Sequence, residues 1–243
     1  MGWRKSTEDV VAEAMGRQRR VDPVLPGTGG PAGNARLTAW LGAILLVGFL
    51  VELATLLDVR GLLSWHIVVG VLLVPPALVK TASTGWRIVG YYRGRPAYRR
   101  AGPPPMVLRV LGPLVVLTTL AVLGSGLALV ALGPDASRNP FMALAGYQID
   151  ALTVHQATFI AWAVITGLHT LGRLVPAFRI LTDRPRPAGT RLPGRLPRGT
   201  VLLTTLAAAG VAAAVLLGPA APWLSDSRQF DHHDRHVARV DGP

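Results

Sequence analysis

The chain has 243 residues, half of them hydrophobic and only 16% charged, with a formal net charge of +12 and no cysteine. Charged and apolar residues fall in separate blocks. This excludes a disordered chain, a disulfide-stapled secreted domain and a typical soluble enzyme. Without cysteine there is no disulfide, iron–sulfur cluster, thiolate zinc site or cysteine nucleophile.

Residues 1–36 form a charged arm with no apolar stretch, so no cleavable signal peptide is expected and the first span itself acts as the insertion signal. Within the arm, residues 23–36 (PVLPGTGGPAGNAR) read as a flexible linker. A bilayer core needs about 20 apolar residues in a helix. Four stretches qualify at 37–57, 62–82, 107–132 and 151–175, and a fifth runs from near Val201 to between Leu217 and Leu224. Backbone groups in lipid must pair within their own segment, so all five are read as helices. Pro75 and Pro76 predict a kink in the second. Residues 183–199 form a basic, proline-broken loop, and 225–243 an extracytoplasmic tail containing His and Asp. The expected fold is all-α, a five-helix transmembrane bundle over 37–224.

Of the 25 Lys and Arg residues, 20 lie in the arm, the connection between spans two and three, or the connection between spans four and five, counting flanking Lys80, Arg109 and Arg173. The positive-inside rule then places the N-terminus in the cytoplasm and the C-terminus outside a cell membrane crossed five times. Anionic headgroups account for the basic loops. They lack the interleaved aromatics and the binding fold of a nucleic-acid partner. Trp40, Trp65, Trp86 and Trp223 are read as interfacial belts.

Ionisable residues within spans are costly and point to function. His66 lies in the second span, His155 and His169 in the fourth. The latter two are about 40° apart in azimuth and roughly 21 Å apart along the axis, so they share a side at two depths. His66 and His155 are each the fifth residue of spans running the same way, which sets them level near the outer surface. Two imidazoles facing across a bundle can fill both axial positions of one haem iron. Gly70, one turn after His66, leaves a flat gap for a porphyrin. Arg60 and Arg138 on the outer side suit its propionates. Zinc lacks a third and fourth ligand at that depth.

The stretches LLSWHIVVG, STGWRIVGYYRGRPAYRR and LTVHQATFIAWAVITGLHTLGRL resemble the membrane-bound b-type cytochrome subunits of respiratory formate dehydrogenases and nickel–iron hydrogenases, in the cytochrome b561-like superfamily. The resemblance covers residues 37–175. It implies that His155 and His169 are the paired positions of a late helix and His66 the outer partner. It also implies haem b, quinone-linked electron transfer, and an extracytoplasmic redox subunit such as a molybdopterin-dependent oxidoreductase. Two-haem members draw an inner ligand from the first helix, and residues 37–57 hold no histidine. One outer haem is therefore expected and a second stays open, with His169 lining a quinone pocket or packing by hydrogen bonding. Lys80, level with His169, is expected to snorkel to cytoplasmic headgroups rather than to ligate iron.

Glu52 is expected to pair with Arg60 or to be solvated at the interface, with acceptance of a quinol proton as the functional alternative. Thr118, Thr119, Ser125, Thr166 and Thr170 are read as glue between helices. His232, His233 and His236 offer a weak external metal site on an otherwise solvated tail. The expected function is that of an electron-transfer subunit rather than a stand-alone enzyme. The alternatives are a haem-free membrane scaffold with structural histidines and a small metal-handling transporter.

Overall fold

The computed structural model describes residues 2–240 except 16, 18–21, 104 and 183–191, with the side chains of 2–6 and 225–240 outside the description. Its helices are α1 (Gly2–Ala14), α2 (Gly30–Thr55), α3 (Leu63–Tyr92), α4 (Pro96–Ala101), α5 (Met106–Arg138), α6 (Ala151–Thr182) and α7 (Arg195–Val240), with one hairpin of β1 (Met142–Leu144) and β2 (Tyr147–Ile149) between α5 and α6. Five of the helices, α2, α3, α5, α6 and α7, are long and apolar enough to cross a membrane. The chain is a multi-pass membrane protein.

Four of those helices form a bundle with a definite order. The second helix packs on α3 and α6, and α5 packs on the same two, so α3 and α6 stand on one diagonal and α2 and α5 on the other. The last long helix lies outside this square, against α3 and α5. Leu45, Leu73 and Ala77 make a buried cluster between α2 and α3, with Phe49, Val69 and Leu123 packed around it. Phe49 meets Trp162 of α6 edge-on, ring centres 4.6 Å apart, and the indole N–H of Trp162 donates to Thr119 of α5 at 3.1 Å. An aromatic pair and one interhelical hydrogen bond thus join three helices where lipid supplies no hydrophobic drive.

The arm departs from the flexible linker expected of its Pro/Gly composition. The second helix begins at Gly30 with Pro31 in its first turn, where the missing N–H is unneeded, so residues 30–36 extend the first span. Asp22 accepts two hydrogen bonds from Arg87 at 2.6 and 2.9 Å, and Arg198 donates to the carbonyls of Thr28, Leu192 and Pro193. The first helix docks on α5 and α6, with Glu13 on Arg173 at 3.0 Å.

The third helix runs through Pro75 and Pro76 as one element, and Pro76 is fully buried in it. Three further differences have local causes. The fifth helix is broken at Gly133 (φ 77), because Pro134 pushes the residue before it out of the α region and glycine tolerates a positive φ. The hairpin, unforeseen in an all-α reading, turns on Ala145 and Gly146, both at positive φ as a tight two-residue turn requires. The last helix passes its expected end because no glycine or proline follows Pro222 before Gly242. The weak metal site weighed at His232, His233 and His236 against a solvated tail falls on side chains outside the described set.

Candidate functional site

His66 sits in the first turn of α3, and the chain entering it is short and tightly turned. Leu56–Asp58 form one 3-10 turn, and the Asp58 carboxylate accepts the Gly61 N–H at 3.0 Å. This reversal lays the start of α3 against the end of α2. His66 Nδ1 lies 2.9 Å from Thr55 Oγ1 and 3.1 Å from Glu52 Oε1. The Thr55 hydroxyl already donates to the Glu52 carbonyl at 2.6 Å, so its oxygen is left to accept from His66. Nδ1 is therefore the donor of this pair. The expected pairing of Glu52 with Arg60 is not what forms: Arg60 is exposed, while Glu52 turns inward to the imidazole.

His155 is set by the same logic from another helix. Asp150 caps the first turn of α6, its Oδ1 accepting the amide and the hydroxyl of Thr153, each at 2.7 Å. One turn on, His155 Nδ1 lies 2.9 Å from Ser125 Oγ of α5. Ser125 donates to the Val122 carbonyl at 3.1 Å, and Thr158 donates to the His155 carbonyl at 2.9 Å. With Ser125 donating to Val122, its oxygen is left to accept from His155 Nδ1 and lies 3.1 Å from Thr158 Oγ1. Gly126 keeps room for this ring: a Cβ there would come within 3.2 Å of His155 Cε1.

The hydrogen bonds from Thr153 hold the Asp150 carboxyl below the ordinary aspartate range. A lowered folded value means that the cap's contribution is complete above about pH 4 and is lost as pH falls through the lowered value. Asp150→Ala should accordingly lower the melting temperature at neutral pH, and the difference from the parent should vanish on acidification. A deficit that persists in acid would show that the carboxylate is not the source.

Across the diagonal, the His66 and His155 ring centres are 6.4 Å apart and their planes nearly perpendicular, at 83°. An imidazole nitrogen binds a metal at about 2.0 Å and lies about 1.1 Å from its own ring centre, so two rings trans on one iron have centres about 6.3 Å apart. The two rings stand at about that separation. Among the described residues no three His, Asp or Glu side chains gather into a metal cage.

The other expected contributors are placed differently. A Cβ on Gly70 would meet Glu52 Oε1 at 3.2 Å, so its small size makes room for the carboxylate. The Arg138 guanidinium stacks on Trp223 at 5.6 Å, and Trp223 is buried with its N–H on the Leu129 carbonyl at 2.8 Å, a packing role instead of an interfacial one. Trp40, Trp65 and Trp86 are exposed as belt residues should be. Thr119 and Ser125 do bond across helices, whereas Thr118 bonds back to its own helix.

At the second depth the groups are not arranged as an axial pair. Among the described residues His169 Nδ1 is buried without a partner, as is Thr166 Oγ1. Lys80 does not snorkel outward: its Nζ lies 3.0 Å from where a Gly42 Cβ would be, in the apolar part of α2. Lys80 and Arg173 are both within electrostatic reach of His169.

Sequence reasoning missed Thr55 and Gly126 and gave Glu52 the wrong partner. The available signals were a threonine one turn after Glu52 and the Ser125–Gly126 pair in the outer third of the third span. No family model, curated protein or solved structure matches this chain.

Proposed function

We propose that this protein is a membrane electron carrier holding one haem b between α3 and α6, with His66 and His155 as axial ligands. It passes electrons between the quinone pool and an extracytoplasmic redox partner, as the b-type cytochrome subunits it resembles do. The observation that carries this reading is the facing pair itself: two imidazoles 6.4 Å apart, each with Nδ1 tied to a neighbouring helix. Haem, when bound, supplies one-electron chemistry to the site. The chain's part is to present two lone pairs in fixed orientation, to keep the site inside the bundle and to set its electrostatics. By the distribution of Lys and Arg, the paired histidines lie toward the extracytoplasmic face of the cell membrane. At the opposite depth His169 and Thr166 offer polar groups to a quinone headgroup.

The same hydrogen bonds would also serve a haem-free scaffold, so the decisive measurement is chemical. A pyridine haemochrome assay on protein purified from haem-replete membranes should give one haem b per chain, and reduction should give bis-imidazole alpha bands. Colourless protein would overturn the proposal in favour of the scaffold.

A further inference from the structure

The hairpin between α5 and α6 takes no part in the histidine site, yet it has a definite polarity of its own. From Asn139 to Ile149 the chain carries no charged side chain. The strands pair Met142 with Ile149, Ala143 with Gln148 and Leu144 with Tyr147. Paired residues share a face and faces alternate along a strand, so Met142, Leu144, Tyr147 and Ile149 make one apolar face. Ala143 and Gln148 make the other. The bundle leaves the apolar face open: Leu144 is 62% exposed and Tyr147 76%. The tip is apolar as well. Ala145 and Gly146 have φ 49 and 85, and such a turn favours Asn, Asp or Gly at its first position. Alanine takes the strained conformation there and leaves the tip without a polar side chain.

The root of the hairpin fixes its depth. Arg138, the last residue of α5, stacks on Trp223 of α7, and Asp150 caps α6, so only short connections join the strands to the bundle. Ala151 precedes His155 by one turn, about 6 Å along the axis. The His155 ring faces that of His66, whose neighbour Trp65 is exposed as an interfacial residue. The hairpin therefore leaves the bundle where the apolar spans end, between exposed Leu132 of α5 and exposed Val154 of α6. Its depth also has an inner limit. The free edges of a two-stranded hairpin present unpaired N–H and C=O groups, which the hydrated headgroup layer satisfies and hydrocarbon does not.

We infer that this hairpin is a membrane-interface anchor. It lies on the bilayer with Met142, Leu144, Tyr147 and Ile149 toward the acyl boundary and with Ala143 and Gln148 toward water. A docking surface for a soluble protein has a polar, charged rim, and the hairpin offers no charge. No bound haem is needed for this role.

The chain has no cysteine, so one introduced thiol is a unique handle. Met142→Cys and Leu144→Cys report on the apolar face, Ala143→Cys and Gln148→Cys on the other. Each full-length variant carries a fluorophore on that thiol, at one chain per lipid nanodisc so that no second copy or partner protects it. Two quenchers are compared, iodide in the water and a nitroxide on the lipid just below the headgroup. The ratio of lipid to iodide quenching is expected to be at least about fivefold higher at positions 142 and 144 than at 143 and 148, with melting curves like the parent's. Either position of a face reads that face if the other variant melts early. Equal ratios on the two faces, or iodide quenching dominant at 142 and 144, would overturn the inference and leave the apolar face to a soluble partner. Quenching of 142 and 144 by neither agent would overturn it too, since the hairpin would then be folded back on the bundle.

Discussion

A chain with alanine at both His66 and His155 is expected to accumulate in the membrane without haem, its content falling from one per chain to less than about a tenth of that. Each single variant should lose most of its haem as well. Removing one axial ligand leaves a five-coordinate iron and an uncompensated polar gap in the bundle. The variants themselves should fold, because the rings contribute few polar contacts to their neighbours: Thr55 and Glu52 for His66, Ser125 for His155. Leu45, Leu73, Ala77 and the Phe49–Trp162 contact, which hold the helices together, are untouched. The measurement is haem-to-protein ratio on detergent-purified protein, with a melting curve to establish folding. Full haem retention by the folded double variant would remove both residues from the ligand set.

Gly126→Leu should produce a loss of similar size without deleting a ligand. A Cβ at this position already lies 3.2 Å from His155 Cε1, tighter than ordinary packing, and a leucine adds three further carbons toward the ring. His155 must then rotate, break its bond to Ser125 and misdirect Nε2. Haem content is expected to fall at least tenfold. Gly124→Leu, at a position where a Cβ meets nothing within 4 Å, provides the control and should leave haem content near the parental level. Equal loss in the two variants would point to general disruption of α5 instead of a local push on His155.

Much of this fold was readable because the bilayer enforces a simple rule. Backbone polar groups must pair within a segment, so apolar length alone identifies the five long helices. The level of His66 with His155 was readable for the same reason, since helical rise converts sequence position into depth. What length and hydropathy do not encode is which helices stand diagonal to each other. The facing of α3 and α6 across α2 and α5 is a packing result, and with it came the partners of the two rings. Glu52 was misassigned to Arg60 because chain proximity suggested the nearest cation, whereas the tight reversal after Thr55 brings an imidazole closer. Lys80 was misplaced because snorkelling describes an isolated helix, and here Gly42 opens a recess for the ammonium inside the bundle. The anchoring of residues 23–36 was hidden by their Pro/Gly content, which looks like linker until Asp22, just before them, meets Arg87 across 65 residues of chain.

The anchoring of each ring by a different neighbour fixes when the site can come into being. The last turn of α2 orients His66 and α5 orients His155, while His155 itself arrives on α6. During synthesis these segments enter the bilayer one after another, so no half-finished intermediate ending before α6 contains a complete pair. Acquisition of any group held between the rings must therefore follow translation of the fourth span. It needs the square to part along a seam, and the α3–α5 side, buttressed by α7, is the side least free to do so.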